Sequence, residues 1–346
     1  MGLRVGINGY GRIGRRVLRH VVAGDHLDVV AINSRQLTPE LAARLLKYDS
    51  VHGRFPGQIE VINGRLVLEG LEMYVGDQAR PQDCNWGDLG VDIVIEASGM
   101  FTSRDLAAGH LRAGASKVVV TAPAEGADAT IVVGVNDADY RPDRHHVVSA
   151  SSCTTNCLAP LLFVLDATFG IDGALMTTIH AYTRDQELLD GTHTDPRRAR
   201  AATLNMVPTT TGSAKAIGTV LPRLKGKVQG LAVRIPLPDV SLVDLSVNLT
   251  SPASAEEVNA AFIHAAHNGL HGILDVTDEP LVSSDFHGDE HSAIVDLPST
   301  REAPDGMVKV LAWYDNEAAY AARVVDLVKI VEAAAEGVRP QPALSA

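Results

Sequence analysis

Residues 6–15 read GINGYGRIGR, with Gly9, Gly11 and Gly14 in the spacing G-x-G-x-x-G. The apolar stretch before them, LRVGING (3–9), reads as a buried strand. The stretch after them, RIGRRVLRHVVAG (12–24), reads as a helix with Ile13, Val17, Leu18, Val21 and Val22 on one face and Gly24 at its end. LDVVAIN (27–33) then closes a strand–helix–strand unit of about thirty residues, the size of a parallel crossover. In that setting the glycines tighten the turn, let the backbone approach a pyrophosphate and let helix pack on strand, while the helix N-terminus offers N–H groups to the phosphates. The competing reading is a glycine-rich turn needed only for packing.

Outward from this unit the pattern continues. IEVINGRLVL (59–68) is a hairpin turning at Asn63-Gly64. VDIVIEASG (91–99), SKVVVTAPA (116–124) and ATIVVGVN (129–136) are Val/Ile-rich runs interleaved with the helical SRDLAAGHLRAGA (103–115), which predicts a parallel sheet covered on both faces. After residue 153 the character changes. GLAVRIPLP (230–238), SLVDLSVNLT (241–250), HSAIVDLP (291–298) and GMVKVLAWYD (306–315) carry polar alternation and predict a mostly antiparallel sheet. SAEEVNAAFIHAAHNG (254–269) opens on a capping box, Ser254 and Glu257, and EAAYAARVVDLVKIVEAAAEG (317–337) is a long helix before a tail, 338–346, expected to fray. The fold class is therefore α/β: an N-terminal Rossmann-type parallel-sheet domain, and an α+β catalytic domain with a mostly antiparallel sheet.

A chain of 346 residues suits two domains. Its formal net charge of -12 repels a phosphate backbone, so nucleic acid is not expected as a partner. No run reaches the length of a bilayer span, so no membrane partner is expected. The N-terminus lacks the apolar core of a signal peptide, and the 3 cysteines, Cys84, Cys153 and Cys157, fit a reducing compartment; the expected location is cytoplasmic.

One cysteine stands apart. SSCTTNCLAP (151–160) follows the strand HHVVSA (145–150) and precedes LAPLLFVLDATFG (158–170), a helical stretch in which Pro160 suits the first turns. Cys153 then sits at a helix N-terminus, where the dipole favours a thiolate, in a polar setting of Ser151, Ser152, Thr154, Thr155 and Asn156. A small buried hydrophobe is the commoner role of a lone cysteine, and it suits Cys84 and Cys157.

The segments GINGYGRIGR, LLKYDSVHGRF, SSCTTNCLAP, TTIHAYTRDQ, RRARAA, VPTTTGSAKA, LKGKVQGLAVRIPLPDVSLVDL and WYDNE occur in order over about residues 3–332. In that order and spacing the chain resembles the phosphorylating glyceraldehyde-3-phosphate dehydrogenases. The resemblance implies covalent catalysis through a thioester: Cys153 attacks the aldehyde, and His180 lowers the thiol pKa and takes the hydroxyl proton as hydride leaves for nicotinamide. An imidazolium beside a thiolate is the expected resting pair. It implies phosphate binding by Ser152, Thr154, Thr183, Arg198, Thr211, Gly212 and Arg234, and a cofactor cleft of Asn8, Gly9, Gly11, Arg12, Ile13, Gly14, Asn33, Ser34, Arg35, Arg80, Ser98, Gly99 and Thr121, with Asn316 orienting the carboxamide. No metal is expected. It further implies a dinucleotide-binding domain of 1–152 with 317–346 returning to it, a catalytic domain of 153–316, and a homotetramer that buries the loop around 182–206.

The chain departs from that pattern in VVAINSRQ (29–36). NAD-specific members carry an acid after the Asn of the IN pair, to hold the ribose diol; here Ser34 stands there and Arg35 follows. Serine removes a charge that would repel a 2'-phosphate, and an arginine nearby accommodates one. The facing LLDGTHTDP has Gly191-Thr192 where Leu-Pro is common. The expectation is NADP, or both coenzymes with NADP favoured; the alternative has Ser34 tolerating NAD and Arg35 in water. SASSC for SNASC, EAS for EST and the alanines of NEAAYAARVV are further departures. Two rival functions keep the fold: an erythrose-4-phosphate dehydrogenase, and a binding protein with a sensor thiol. His264, His267 and His271 suggest a metal-binding face, but Asn268-Gly269 should end the helix between them, which favours a wet helix face.

Overall fold

Arg4–Asn8 lies mid-sheet, between Asp28–Asn33 and Ile93–Glu96, and is parallel to both. Beyond Ile93–Glu96 the parallel order continues through Lys117–Val120, Val147–Ser149 and Ala129–Thr130. Beyond Asp28–Asn33 comes Leu71–Gly76, also parallel, and then the antiparallel Arg65–Leu68 and Ile59–Ile62. The chain leaves the first strand on one side and later crosses to the other. That reversal opens a crevice at the carboxyl ends of the strands, where this fold class binds ligands. This computed structural model describes residues 2–25 and 27–338; Met1, His26 and residues 339–346, most of the tail expected to fray, lie outside the described residues.

The sheet of the second unit is ordered Val207–Thr209, Val228–Ile235, Ile171–Ala181, Ser241–Leu249, Met307–Tyr314, Ala293–Asp296, Leu274–Thr277. It is mostly antiparallel, with parallel pairing between Ile171–Ala181 and Val228–Ile235 and between Leu274–Thr277 and Ala293–Asp296. The helix Cys153–Phe169 packs Leu158, Leu161, Leu162 and Leu165 into one core with Met176, Val243, Leu245, Val247, Val308 and Val310. Its flank is covered by Ala255–His267, whose Ser254–Glu257 capping box forms in both directions. The first unit takes in the described residues up to 131, 137–151 and those from Ala321 on; the second takes in 132–136 and 152–320.

Several local expectations change. The first helix is regular over Arg12–His20, and Val21–Asp25 forms a wider turn. The helix expected over 103–115 breaks into Arg104–Ala107 and Gly109–Arg112. A Cβ on Gly109 would lie 2.7 Å from Pro81 Cβ, so tertiary crowding, absent from any periodicity, shapes this turn. ATIVVGVN pairs only at Ala129–Thr130, and Val132–Asn136 belongs to the second unit. Pro160 is the eighth residue of its helix, past the first turn, and gives Asn156 no backbone donor. The eleven-residue strand Ile171–Ala181 carries His180 and is marked in the sequence only by the TTIHAYTRDQ motif at its end.

Helix and strand approach most closely at Gly14, where a Cβ would lie 2.1 Å from the Gly9 carbonyl oxygen. Gly14→Ala is expected to cost about 1–3 kcal/mol of stability as an overpacked contact. It is also expected to weaken coenzyme binding. Denaturant midpoints and coenzyme titration check both.

Candidate active site

In the first unit the glycine turn is shaped by close approach. A Cβ on Gly9 would lie 2.3 Å from the Ser98 nitrogen, whereas one on Gly11 would meet nothing within 4 Å. Gly11 also gives the helix Arg12–His20 no side-chain cap. An uncapped helix start with open space over its glycine is what a pyrophosphate requires, so the residues present fit a dinucleotide. Ile13 is half-buried in the first helical turn. Arg12 Nη1 donates to Asp49 Oδ2 at 2.5 Å. Burial alone would raise the Asp49 pKa, but Arg12 and the backbone N–H groups of His52 and Val51 overcome it and hold the carboxyl well below its usual range.

The other expected cofactor residues gather around Glu96. Its carboxylate accepts from Asn8 and from Ser98, and its carbonyl accepts from the nitrogen and hydroxyl of Thr121 at 3.0 and 3.1 Å. Gly99 follows with φ 72 and no neighbour where a Cβ would be. The side chains of Asn8 and Asn33 are committed within the unit: Asn33 Nδ2 donates to Asn8 Oδ1 at 2.7 Å, and the Gln78 nitrogen donates to Asn33 Oδ1 at 2.7 Å. Their side chains shape the site by bonding within the unit. Ser34 is half-buried and donates its N–H to the Gly76 carbonyl, and Arg35 is exposed. Arg80, also exposed, is held by Asp83 at 2.6 Å.

In the second unit Cys153 is the first residue of the helix Cys153–Phe169, capped by Ser152, whose Oγ accepts from the Thr155 nitrogen. Its half-buried Sγ lies 3.4 Å from His180 Nε2. Sheet register completes the site: His180 and Arg234 are paired neighbours on the parallel strands. His180 Nδ1 lies 2.6 Å from Arg234 Nη1 and 2.7 Å from the Ala181 carbonyl. A proton on Nδ1 donates to that carbonyl and leaves Nε2 as a base facing the sulfur; with Nδ1 accepting from the guanidinium, the proton sits on Nε2 instead. The geometry accommodates both.

The expected imidazolium meets opposing influences here. Burial, and then Arg234, push His180 down to about 3. Burial pushes the Cys153 thiol up, opposed first by Arg234 and then by hydrogen bonds from Thr154 and the backbone. Burial penalises each charge, and the guanidinium beside the ring opposes a second cation. Arg234 is the cation that favours the thiolate. Cys84 and Cys157 are buried and pushed up by burial, Cys84 to about 12, so neither is a nucleophile.

Of the expected phosphate ligands, Ser152 and Thr211 are brought together through Ser213, whose Oγ lies 3.1 Å from Ser152 Oγ and accepts from Thr211 Oγ1 at 3.0 Å. Gly212, next in line, starts the helix Ser213–Val220 with nothing in its Cβ position. The buried Arg234 Nε has no hydrogen-bond partner, and Arg198 lies close enough to act on Arg234 as a second cation. An orphaned guanidinium donor and a second guanidinium suit an anion. Arg198 itself is held by Asp185, Thr209 Oγ1 at 2.9 Å and the Thr210 carbonyl. Thr183 is half-buried, with its N–H on Gln186. Thr154 spends its hydroxyl on Tyr314, which also binds the Thr178 hydroxyl, each at 2.9 Å. That tyrosine, edge-on to the His180 ring, is a site residue sequence reasoning missed although it sits in WYDNE. Ser241 is another: its Oγ donates to Asn316 Oδ1 at 2.7 Å. The histidine face is absent: the helix ends at His267, before His271, and Asn268 Nδ2 bonds the His264 carbonyl. Among the described residues no helix is long and apolar enough to cross a membrane.

Comparisons with known proteins agree on a family. Residues 3–104 match the family description "Glyceraldehyde 3-phosphate dehydrogenase, NAD binding domain", and residues 152–316 match "Glyceraldehyde 3-phosphate dehydrogenase, C-terminal domain". The chain is 50% identical over 333 residues to glyceraldehyde-3-phosphate dehydrogenase 2 of Bacillus subtilis, covering 96% of this chain and 98% of that protein. It is 51% identical over 331 residues to the Geobacillus stearothermophilus enzyme of that name, covering 96% and 98%. Over 342 residues it is 51% identical to that of Mycobacterium avium, covering 96% and 99%.

Removing the guanidinium takes away the charge that favours thiolate. In Arg234→Gln, the pH at which Cys153 becomes reactive toward iodoacetamide should therefore move to the alkaline side by about one unit or more. Alkylation rates measured across pH on wild type and variant check it.

Proposed function

The chain belongs to the glyceraldehyde-3-phosphate dehydrogenase family, a dehydrogenase with a nicotinamide coenzyme and a small-molecule substrate, and from that premise we propose that it converts D-glyceraldehyde 3-phosphate and inorganic phosphate to 1,3-bisphosphoglycerate, with NADP favoured over NAD. The observation that carries the reading is the 3.4 Å separation of Cys153 Sγ and His180 Nε2 at a helix N-terminus.

Cys153 passes its proton to His180 Nε2 while Arg234 favours the thiolate. The sulfur attacks the aldehyde carbon to form the C–S bond, and the proton passes from Nε2 to the former carbonyl oxygen to give the hemithioacetal hydroxyl. The bound nicotinamide supplies a hydride acceptor. His180 Nε2 takes the hydroxyl proton as the carbon gives up hydride, and the C=O of a thioester forms. Phosphate, held by Ser152, Thr211, the Gly212 N–H and the guanidiniums, attacks that carbonyl, and the sulfur leaves. Tyr314 braces the site by holding Thr154 and Thr178.

Coenzyme choice rests on Ser34 and Arg35. The Arg35 guanidinium is exposed and has no ion-pair partner among the described residues, which supports an available cation for a 2'-phosphate. A homotetramer is part of the proposal: within the loop 182–206, Leu188, Leu189 and Leu204 are exposed and Met206 beside it is too, apolar surface that association would cover.

Steady-state assays with both coenzymes and both aldehydes, glyceraldehyde 3-phosphate and erythrose 4-phosphate, test this. NADP should exceed NAD in kcat/KM by about ten- to a hundredfold, the worth of one charge-assisted bond. Ser34→Asp should reverse the preference, and a wild type that favours NAD would remove the idea. Cys153→Ser should abolish turnover; unchanged turnover in that variant would sink the thioester route.

A further inference from the structure

Behind the glycine turn lies a buried polar chain that the mechanism above does not use. Trp86, His110 and Glu96 are 1%, 0% and 2% exposed. Trp86 Nε1 lies 2.8 Å from His110 Nδ1, and His110 Nε2 lies 2.8 Å from Glu96 Oε2. The same Oε2 takes Asn8 Nδ2 at 2.5 Å, while Oε1 takes the Ser98 nitrogen at 2.8 Å and the Ser98 hydroxyl at 2.5 Å.

Hydrogen-bonding capacity fixes the histidine tautomer in this chain. Indole Nε1–H is a donor only, so His110 Nδ1 must accept. The ring proton is therefore on Nε2 and is donated to Glu96. Four hydrogen bonds converge on the two carboxyl oxygens of Glu96. A carboxylate accepts only, so Asn8 turns its NH2 toward it and offers Oδ1 to Asn33 Nδ2. At the far end the Gln78 N–H, another obligate donor, fixes Asn33 Oδ1. Both ends of the network are donors that cannot be reversed, so its direction is set throughout. His110 contrasts with His180, whose Nδ1 faces a donor and an acceptor together.

This chain holds the parts of the coenzyme site that the glycines leave undetermined. The Ala97–Ser98 turn, pinned by Glu96, is what a Cβ on Gly9 would strike, so it sets the wall of the cradle. Asn33, at the other end, leads directly into Ser34 and Arg35. We propose that His110, locked by Trp86 as the neutral Nε2–H tautomer, is a positioning residue for coenzyme binding: through Glu96 it fixes the Gly9–Ser98 cradle and the Asn33 approach to Ser34. The proposal rests on the coenzyme reading given above.

Three measurements on the full-length protein test it. Neutron diffraction of deuterium-exchanged wild type should show deuterium on His110 Nε2 and none on Nδ1; deuterium on Nδ1 would overturn the assignment. Calorimetric titration with NADP and NAD should show His110→Leu binding coenzyme about tenfold more weakly, the loss of one hydrogen bond to a charged group. His110→Gln, whose amide can still donate to Glu96, should recover most of that affinity, and kcat at saturating coenzyme should stay within about twofold in both variants. Equal coenzyme affinity in the two variants, or wild-type affinity in His110→Leu, would assign His110 to folding alone. Should the variants not fold, the neutron result on wild type decides. A wild type that binds coenzyme yet oxidises neither aldehyde would overturn the proposed function and leave this inference standing; one that binds no coenzyme would end both.

Discussion

A reactive sulfur has to be reached by substrate and yet be held beside a base, and the second unit is built around that requirement. Cys153 is fixed by the start of a seventeen-residue helix and His180 by the end of a long central strand. The two meet only because that helix packs its leucine face on the same sheet. Parallel pairing then places Arg234 beside His180, so the group that favours the thiolate is delivered by sheet register. Its cost is visible in the histidine: burial, and then a guanidinium at hydrogen-bond distance, disfavour the imidazolium.

The first unit meets a different requirement, that of shaping backbone. Gly9, Gly11 and Gly14 remove side chains so that turn, strand and helix can approach, but removal alone leaves the turn free to adopt other shapes. A buried carboxylate supplies the missing definition. Glu96 is filled by four donors, and the network is directional because its ends, an indole and a backbone amide, can only donate. A fully satisfied buried network of this kind rigidifies its surroundings, whereas one missing partner would leave a buried charge uncompensated.

Much of the architecture was legible. Valine-rich runs, the glycine spacing and the Asn63-Gly64 turn led to the parallel sheet and its hairpin, and polar alternation after residue 153 led to the mostly antiparallel one. Where the reading erred, a non-local contact was responsible. ATIVVGVN has strand composition, yet after Thr130 its residues join the core of the other unit through Val132. The helix over 103–115 breaks where Gly109 meets Pro81. The amides of Asn8 and Asn33 face each other across adjacent strands, a pairing visible only once the register is known.

By itself the sequence determined the fold class, the glycine turn, the candidate nucleophile and its helix, and the serine–arginine departure on which the proposed coenzyme choice rests, because each is written in residues close together along the chain. Tertiary structure alone decided which groups act on one another: Arg234 on His180, Tyr314 on Thr154, and Trp86 through His110 on Glu96. Protonation state and tautomer depend on burial and on donors a few ångströms away in space. Residues tens of positions apart supply them, so no local pattern encodes them.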